Sequence, residues 1–177
     1  TASSTFALRF PRDNRLLAWA EDTVGRRQYV IRVKNLETGA TYADTIVNAE
    51  PDLAWANDDR TLLYVEKDPQ TLLGVRVKKH VLGTPVAQDA LVYEQDDDTF
   101  YLGVEKSKSD RFVFIVSQST VSSEYRIADA NDPQLKFSVP LPRERDHEYQ
   151  LEDVGDRFVI RTNWKAKNFR IVDVPIA

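Results

Sequence analysis

Apolar residues in this chain come in short runs, and polar turn residues break each run before it reaches helical length. No window keeps a sustained 3.6-residue apolar period with caps, so the pattern predicts strands. Four times a polar turn ending in Arg precedes an apolar strand. The copies are Asp13-Asn14-Arg15 before Leu16 to Ala20, Asp58-Asp59-Arg60 before Thr61 to Val65, Ser109-Asp110-Arg111 before Phe112 to Val116, and Gly155-Asp156-Arg157 before Phe158 to Ile160. The arginines are 45, 51 and 46 residues apart. Asp or Asn in such a turn bonds the local backbone and tolerates positive φ.

A first strand precedes each turn: Phe6 to Phe10, Leu53 to Ala56, Tyr101 to Glu105 and Tyr149 to Asp153. A third follows: Tyr29 to Val33, Val75 to Leu82, Glu124 to Ala128 and Phe169 to Val174. The first three copies add a fourth: Asp44 to Val47, Ala90 to Tyr93 and Lys136 to Val139. Four antiparallel strands per ~40–50 residues is the blade of a β-propeller. The expected fold is all-β, a partial propeller with blades at about 5–47, 52–94, 100–139 and 147–174, the last incomplete. A β-sandwich of similar strand count is the alternative, and the repeated Asp-Arg turn favours the propeller. Such an open fan exposes strand edges, which predicts self-association between copies.

Composition agrees. Val, Ile, Phe, Tyr, Trp and Thr make up 56 of 177 residues, the types that suit a pleated, half-buried surface. Apolar runs stop at five residues, as in Phe112 to Val116, whereas a membrane helix needs about 20. A net charge of −4 without a basic tract argues against a nucleic-acid partner. Cysteine is absent, which excludes disulfides and thiolate chemistry and suits a cytoplasmic setting. Met is absent too, even at the start, so the chain reads as a segment of something longer.

Candidate chemistry is sparse. A hydrolase elbow needs G-x-S-x-G, and no two of the six glycines are four residues apart. No catalytic residue, cofactor site or metal site is therefore expected. His80, beside Lys78 and Lys79, reads as an ordinary strand-surface residue; His147 reads as a hydrogen-bonded structural histidine. Asp96-Asp97-Asp98 is a solvated loop, or else a collector of Ca²⁺ or of a basic substrate group. Trp19, Trp55 and Trp164 suit blade packing, with a peptide-binding platform as the other option.

Several segments carry a family resemblance. Glu21 to Tyr29 with Gly25-Arg26-Arg27, Leu36 to Gly39, Trp55 to Tyr64, Leu141 to Tyr149 and Arg161 to Arg170 together resemble the oligopeptidase B (protease II) branch of the prolyl oligopeptidase family of serine peptidases. That resemblance implies a seven-bladed N-terminal propeller capping an α/β-hydrolase domain that holds the catalytic Ser, Asp and His. It also implies cleavage of short peptides after Arg or Lys. None of those catalytic motifs lies within these residues. The chain's expected role is non-catalytic gating, its partners being the hydrolase domain of the same polypeptide and, for the parent, short basic peptides. A free-standing propeller that binds a protein partner is the alternative. In the charged linker Arg143 to Glu148, Arg143, Arg145 and His147 are candidates for contacts at the channel mouth or with the hydrolase domain, and a self-neutralised loop is the bland reading.

Overall fold

The computed structural model describes residues 4–176, with side chains from Ala7 onward. Thirteen antiparallel strands and one 3-10 turn at Val86–Gln88 make up the regular structure of these residues. The first unit holds β1 (Ser4–Arg9), β2 (Leu16–Asp22), β3 (Tyr29–Asn35) and the first part of β4 (Thr41–Trp55). The second holds the rest of β4, β5 (Thr61–Lys67), β6 (Gly74–Val81) and β7 (Ala90–Glu94). The third holds β8 (Tyr101–Lys106), β9 (Phe112–Gln118) and β10 (Ser123–Asp129), and the fourth β11 (Tyr149–Val154), β12 (Arg157–Thr162) and β13 (Arg170–Pro175).

Two details differ from the sequence expectation. Asp44 to Val47 and Leu53 to Ala56 are not separate strands, because β4 runs through both and joins the first two units into one seven-stranded sheet. Asn48 at φ 56° and a register shift between Ala49 and Leu53 let the chain change partners from β3 to β5 without leaving extended backbone. The third unit's expected fourth strand, Lys136 to Val139, is reduced to a single bridge between Ile127 and Ser138. The Asp132 carboxylate bonds the N–H groups of Gln134 and Lys136, and Leu135 sits at φ 50°, so the backbone entering that segment is a turn.

The buried side chains form three layers, each between consecutive units. Ile31, Val33 and Ile46 meet Trp55, Leu62 and Tyr64; Leu63, Val65 and Val77 meet Leu102, Val113 and Ile115; Phe114, Tyr125 and Ile127 meet Tyr149, Leu151 and Ile160. Strand alternation explains how one strand serves two layers. On β5, Leu62 and Tyr64 face one neighbour and Leu63 and Val65 the other, so Thr61–Val65 is buried throughout. That two-faced burial is why the middle strands read as unbroken apolar runs. Units stacked face to face around their first strands are propeller blades, not the two facing sheets of a sandwich.

The repeated turns also tie each blade to the next. Positive φ falls at Asn14, Asp59 and Asp110, and at Gly155 in the shorter fourth hairpin. Asp13 and Asp58 accept the N–H of Arg15 and Arg60 at 2.9 and 3.0 Å. Outward from these turns, the Arg12 N–H reaches Asp59 at 2.8 Å, Asn57 reaches the Asp110 carbonyl at 2.9 Å, and the Ser109 hydroxyl reaches Asp153 at 2.6 Å.

Candidate functional site

The first strands converge. Arg9 on β1, Asp52 on β4, Tyr101, Gly103 and Glu105 on β8 and Gln150 on β11 line one open space of about 350 Å³. Alternation on β8 sends Leu102 and Val104 into the core and turns Tyr101, Gly103 and Glu105 toward this space. Gly103 leaves the approach to Asp52 open; a Cβ there would stand 3.4 Å from the Asp52 carboxylate. Burial pushes the Asp52 carboxyl up, with Arg9 opposing. Burial also pushes Glu105 up, and the charges of Glu152 and Asp52 add to it. Neither carboxylate has a hydrogen-bond or ion-pair partner among the described residues. Both residues are exposed on this wall, where Arg9 is the neighbouring cation, so their carboxylates are open to an ammonium or guanidinium group.

The Arg143–Glu148 linker closes over the third and fourth blades. Arg143 is occupied within the chain: its guanidinium lies 3.6 Å from the Phe100 ring centroid, donates to Gln95 at 3.1 Å, and stands 3.7 Å from Asp97 and from Glu124. Arg145 has a side chain 92% exposed, and among the described residues Asp146, at 3.8 Å, is the one carboxylate within ion-pair reach. His147 shares a 2.9 Å hydrogen bond with the Thr162 hydroxyl, and its ring lies tilted against that of Tyr149, 5.2 Å between centroids. The structure thus separates the three candidates: Arg143 staples the linker, His147 anchors it, and Arg145 alone is free to reach outward.

The Gly25-Arg26-Arg27 loop is held from beneath by Asp22, whose carboxylate accepts the N–H groups of Val24, Gly25 and Arg27. Asp96, Asp97 and Asp98 are exposed, and Asp97 turns back to cap Thr99. Among the described residues no group of three or more His, Cys, Asp or Glu side chains is placed to hold a metal ion. No helix among them is long and apolar enough to cross a membrane.

Two residues depart from the sequence reading. His80 is not a surface residue but fully buried, with Nδ1 2.8 Å from Asp89 and Nε2 3.7 Å from Asp44 on the neighbouring blade. Asp89 in turn accepts the Tyr64 hydroxyl at 2.9 Å. Nothing local marked it: alternation on β6 groups His80 with the part-exposed Arg76 and Lys78, and its burial comes from the pairing with Leu62, a core residue of β5. Trp164 is half exposed rather than packed between blades, whereas Trp55 is buried between blades as expected and donates to the Arg9 carbonyl at 3.1 Å. That Asp52 and Glu105 share one wall had no local sequence signal, since 53 positions separate the two residues.

Comparison with known proteins agrees with this geometry. The family described as prolyl oligopeptidase, N-terminal beta-propeller domain, matches residues 3–177. The chain is 60% identical over 164 residues to dipeptidyl aminopeptidase BI of Pseudoxanthomonas mexicana, covering 92% of this chain and 22% of that protein. It is 30% identical over 170 residues to protease 2 of Moraxella lacunata, covering 95% of this chain and 24% of the relative. Oligopeptidase B from Leishmania major superposes with a TM-score of 0.92 at 26% identity, over 98% of this chain and 25% of that one. The chain spans about a quarter of the length of the curated relatives it matches. It belongs to the prolyl oligopeptidase family and represents part of that family's N-terminal β-propeller domain.

Proposed function

We propose that this chain is a non-catalytic gating segment of an oligopeptidase B-like serine peptidase that cleaves short peptides after Arg or Lys. The observation that carries the reading is the unpaired pair Asp52 and Glu105 on the wall where the first strands meet. Carboxylates lining a passage raise the local concentration of cationic peptides, while a ring of blades excludes folded proteins on size. In this reading the nucleophile, base and oxyanion donors belong to a hydrolase domain outside residues 1–177. Arg145, and less directly Arg143 and His147, would meet that domain. The Cys-free composition suits a cytoplasmic enzyme. Isolated from neighbouring segments, the outer edge of β13 would template pairing between copies.

A second reading differs in product. The 60% identity to a dipeptidyl aminopeptidase favours release of dipeptides from free amino termini over internal cleavage.

The test uses the full-length protein. A fluorophosphonate probe should label one serine outside residues 1–177, and short peptides should be cut after Arg or Lys. Labelling of a serine within 1–177 would overturn the non-catalytic assignment. A full-length product without a hydrolase domain would leave the partner-binding scaffold as the reading. Matched peptides with free and acetylated amino termini separate endopeptidase from dipeptide release.

A further inference from the structure

The β12–β13 connection concentrates positive charge. Arg161, Lys165, Lys167 and Arg170 fall within ten residues, and no Asp or Glu lies between Phe158 and Val172, in a chain whose net charge is −4. All four side chains belong to exposed residues, and none is paired with a carboxylate among the described residues. Aromatic faces hold three of them instead. The Arg161 guanidinium lies 3.9 Å from the Phe169 centroid, while Lys165 and Arg170 lie 4.5 and 4.9 Å from that of Trp164. A π face restrains a cation without neutralising it, so the ordering is done in advance and the charge stays available.

The loop beneath is fixed as well. Lys165 and Phe169 sit at φ 51° and 60°. Asn163 donates to the Asp146 carbonyl at 3.0 Å and accepts the Glu148 N–H at 3.0 Å. These bonds place the cationic loop beside the linker that carries Arg145, so both present charge at the same end of the blade.

We infer that Arg161, Lys165, Lys167 and Arg170 form a docking surface for an acidic segment of the same polypeptide outside residues 1–177. The inference rests on the reading that a further domain covers this end. Two arguments select that occupant over a separate molecule. About three-quarters of the length of the matched relatives lies outside the region this chain covers. The loop also continues the linker that meets the covering domain in that reading. Complementary charge fixes orientation and register more than it adds affinity, which suits a contact that must open and close.

The test is zero-length carbodiimide cross-linking of the full-length protein, which condenses a lysine amine with a touching carboxylate. Lys165 or Lys167 should couple to an Asp or Glu beyond residue 177 of the same molecule. Isotope mixing identifies links between copies. Arg161→Ala with Arg170→Ala should lower the yield several-fold, as should about 0.5 M salt, where screening lengths shrink to a few ångströms. Links only to carboxylates within residues 1–177, only to a second molecule, or none at all would overturn the inference. Peptide turnover assayed in parallel keeps this separate from the functional reading: turnover without the cross-link sinks the docking surface alone.

Discussion

The guanidinium of Arg143 lies flat over the ring of Phe100, 3.6 Å from its centroid. Phe100 opens the third blade and Arg143 opens the linker into the fourth, so one contact ties the entry of one blade to the exit from it. Gln95 and Glu124 complete the hold through the side chain and the backbone N–H of Arg143.

Arg143→Ala should therefore destabilise the protein by about 1–3 kcal/mol, the sum of a desolvated cation–π contact and one charged hydrogen bond. Arg143→Lys should recover only part of this, because an ammonium cannot stack and fork at once. Arg145→Ala should leave stability unchanged while altering the salt dependence of turnover. Denaturant titration of the three variants checks the order; equal losses at both arginines would refute the division of labour.

Phe114 packs among Tyr125, Tyr149, Leu151 and Ile160, with its ring 5.9 Å from that of Tyr125. Phe114→Ala should cost about 3–5 kcal/mol, since both blades around it are rigid sheets that cannot collapse into the space left. Phe114→Leu should cost clearly less. A loss under about 1 kcal/mol, measured by denaturant titration, would mean the two blades are not packed through this layer.

The strand pattern and the turns of this fold were legible because both are local. Asp13, Asp58 and Ser109 bond the backbone two residues on, and that signature repeats with the blade. The run through β4 was not legible, because Asn48 and the residues after it look like a turn and become one only if the partner strand stays the same. The missing fourth strand of the third blade failed for the converse reason: Lys136 to Val139 has strand composition, but the Asp132 turn decides how the chain arrives. Candidate site residues could be named from the sequence only where charge was contiguous. Arg143, Arg145 and His147 lie in one run, whereas Asp52 and Glu105 come to one wall, and His80 meets Asp44, across blades.

Acid should unfold the protein partly through Asp58. Burial alone would raise this carboxyl, but bonds from the Thr61 hydroxyl and N–H and the Arg60 N–H outweigh it and hold it below the ordinary range. A carboxyl depressed in the folded state stabilises above its unfolded pKa, and that contribution is lost as pH falls through the folded value. Asp58→Ala should cost about 1–2 kcal/mol at neutral pH, and the gap to the parent should narrow as pH falls below the ordinary carboxylate range. Melting curves across pH check this; a gap that is constant with pH would assign the loss to turn geometry instead.

Charge selection at the first-strand wall is tested most directly by Asp52→Asn with Glu105→Gln in the full-length enzyme. Both residues are exposed and neither carboxylate is bonded to another described group, so neutral isosteres should leave the fold intact. Unfolding would then not account for lost activity. The measurement is kcat/KM for two short peptides with the same scissile Arg, one carrying extra cationic residues and one neutral elsewhere, at low and high salt. The account predicts a fall of about tenfold for the cationic peptide, the low end of electrostatic steering. It predicts little change for the neutral one, and a difference that closes as salt rises. Equal effects on both peptides, or none on either, would contradict a propeller wall that selects substrates by charge.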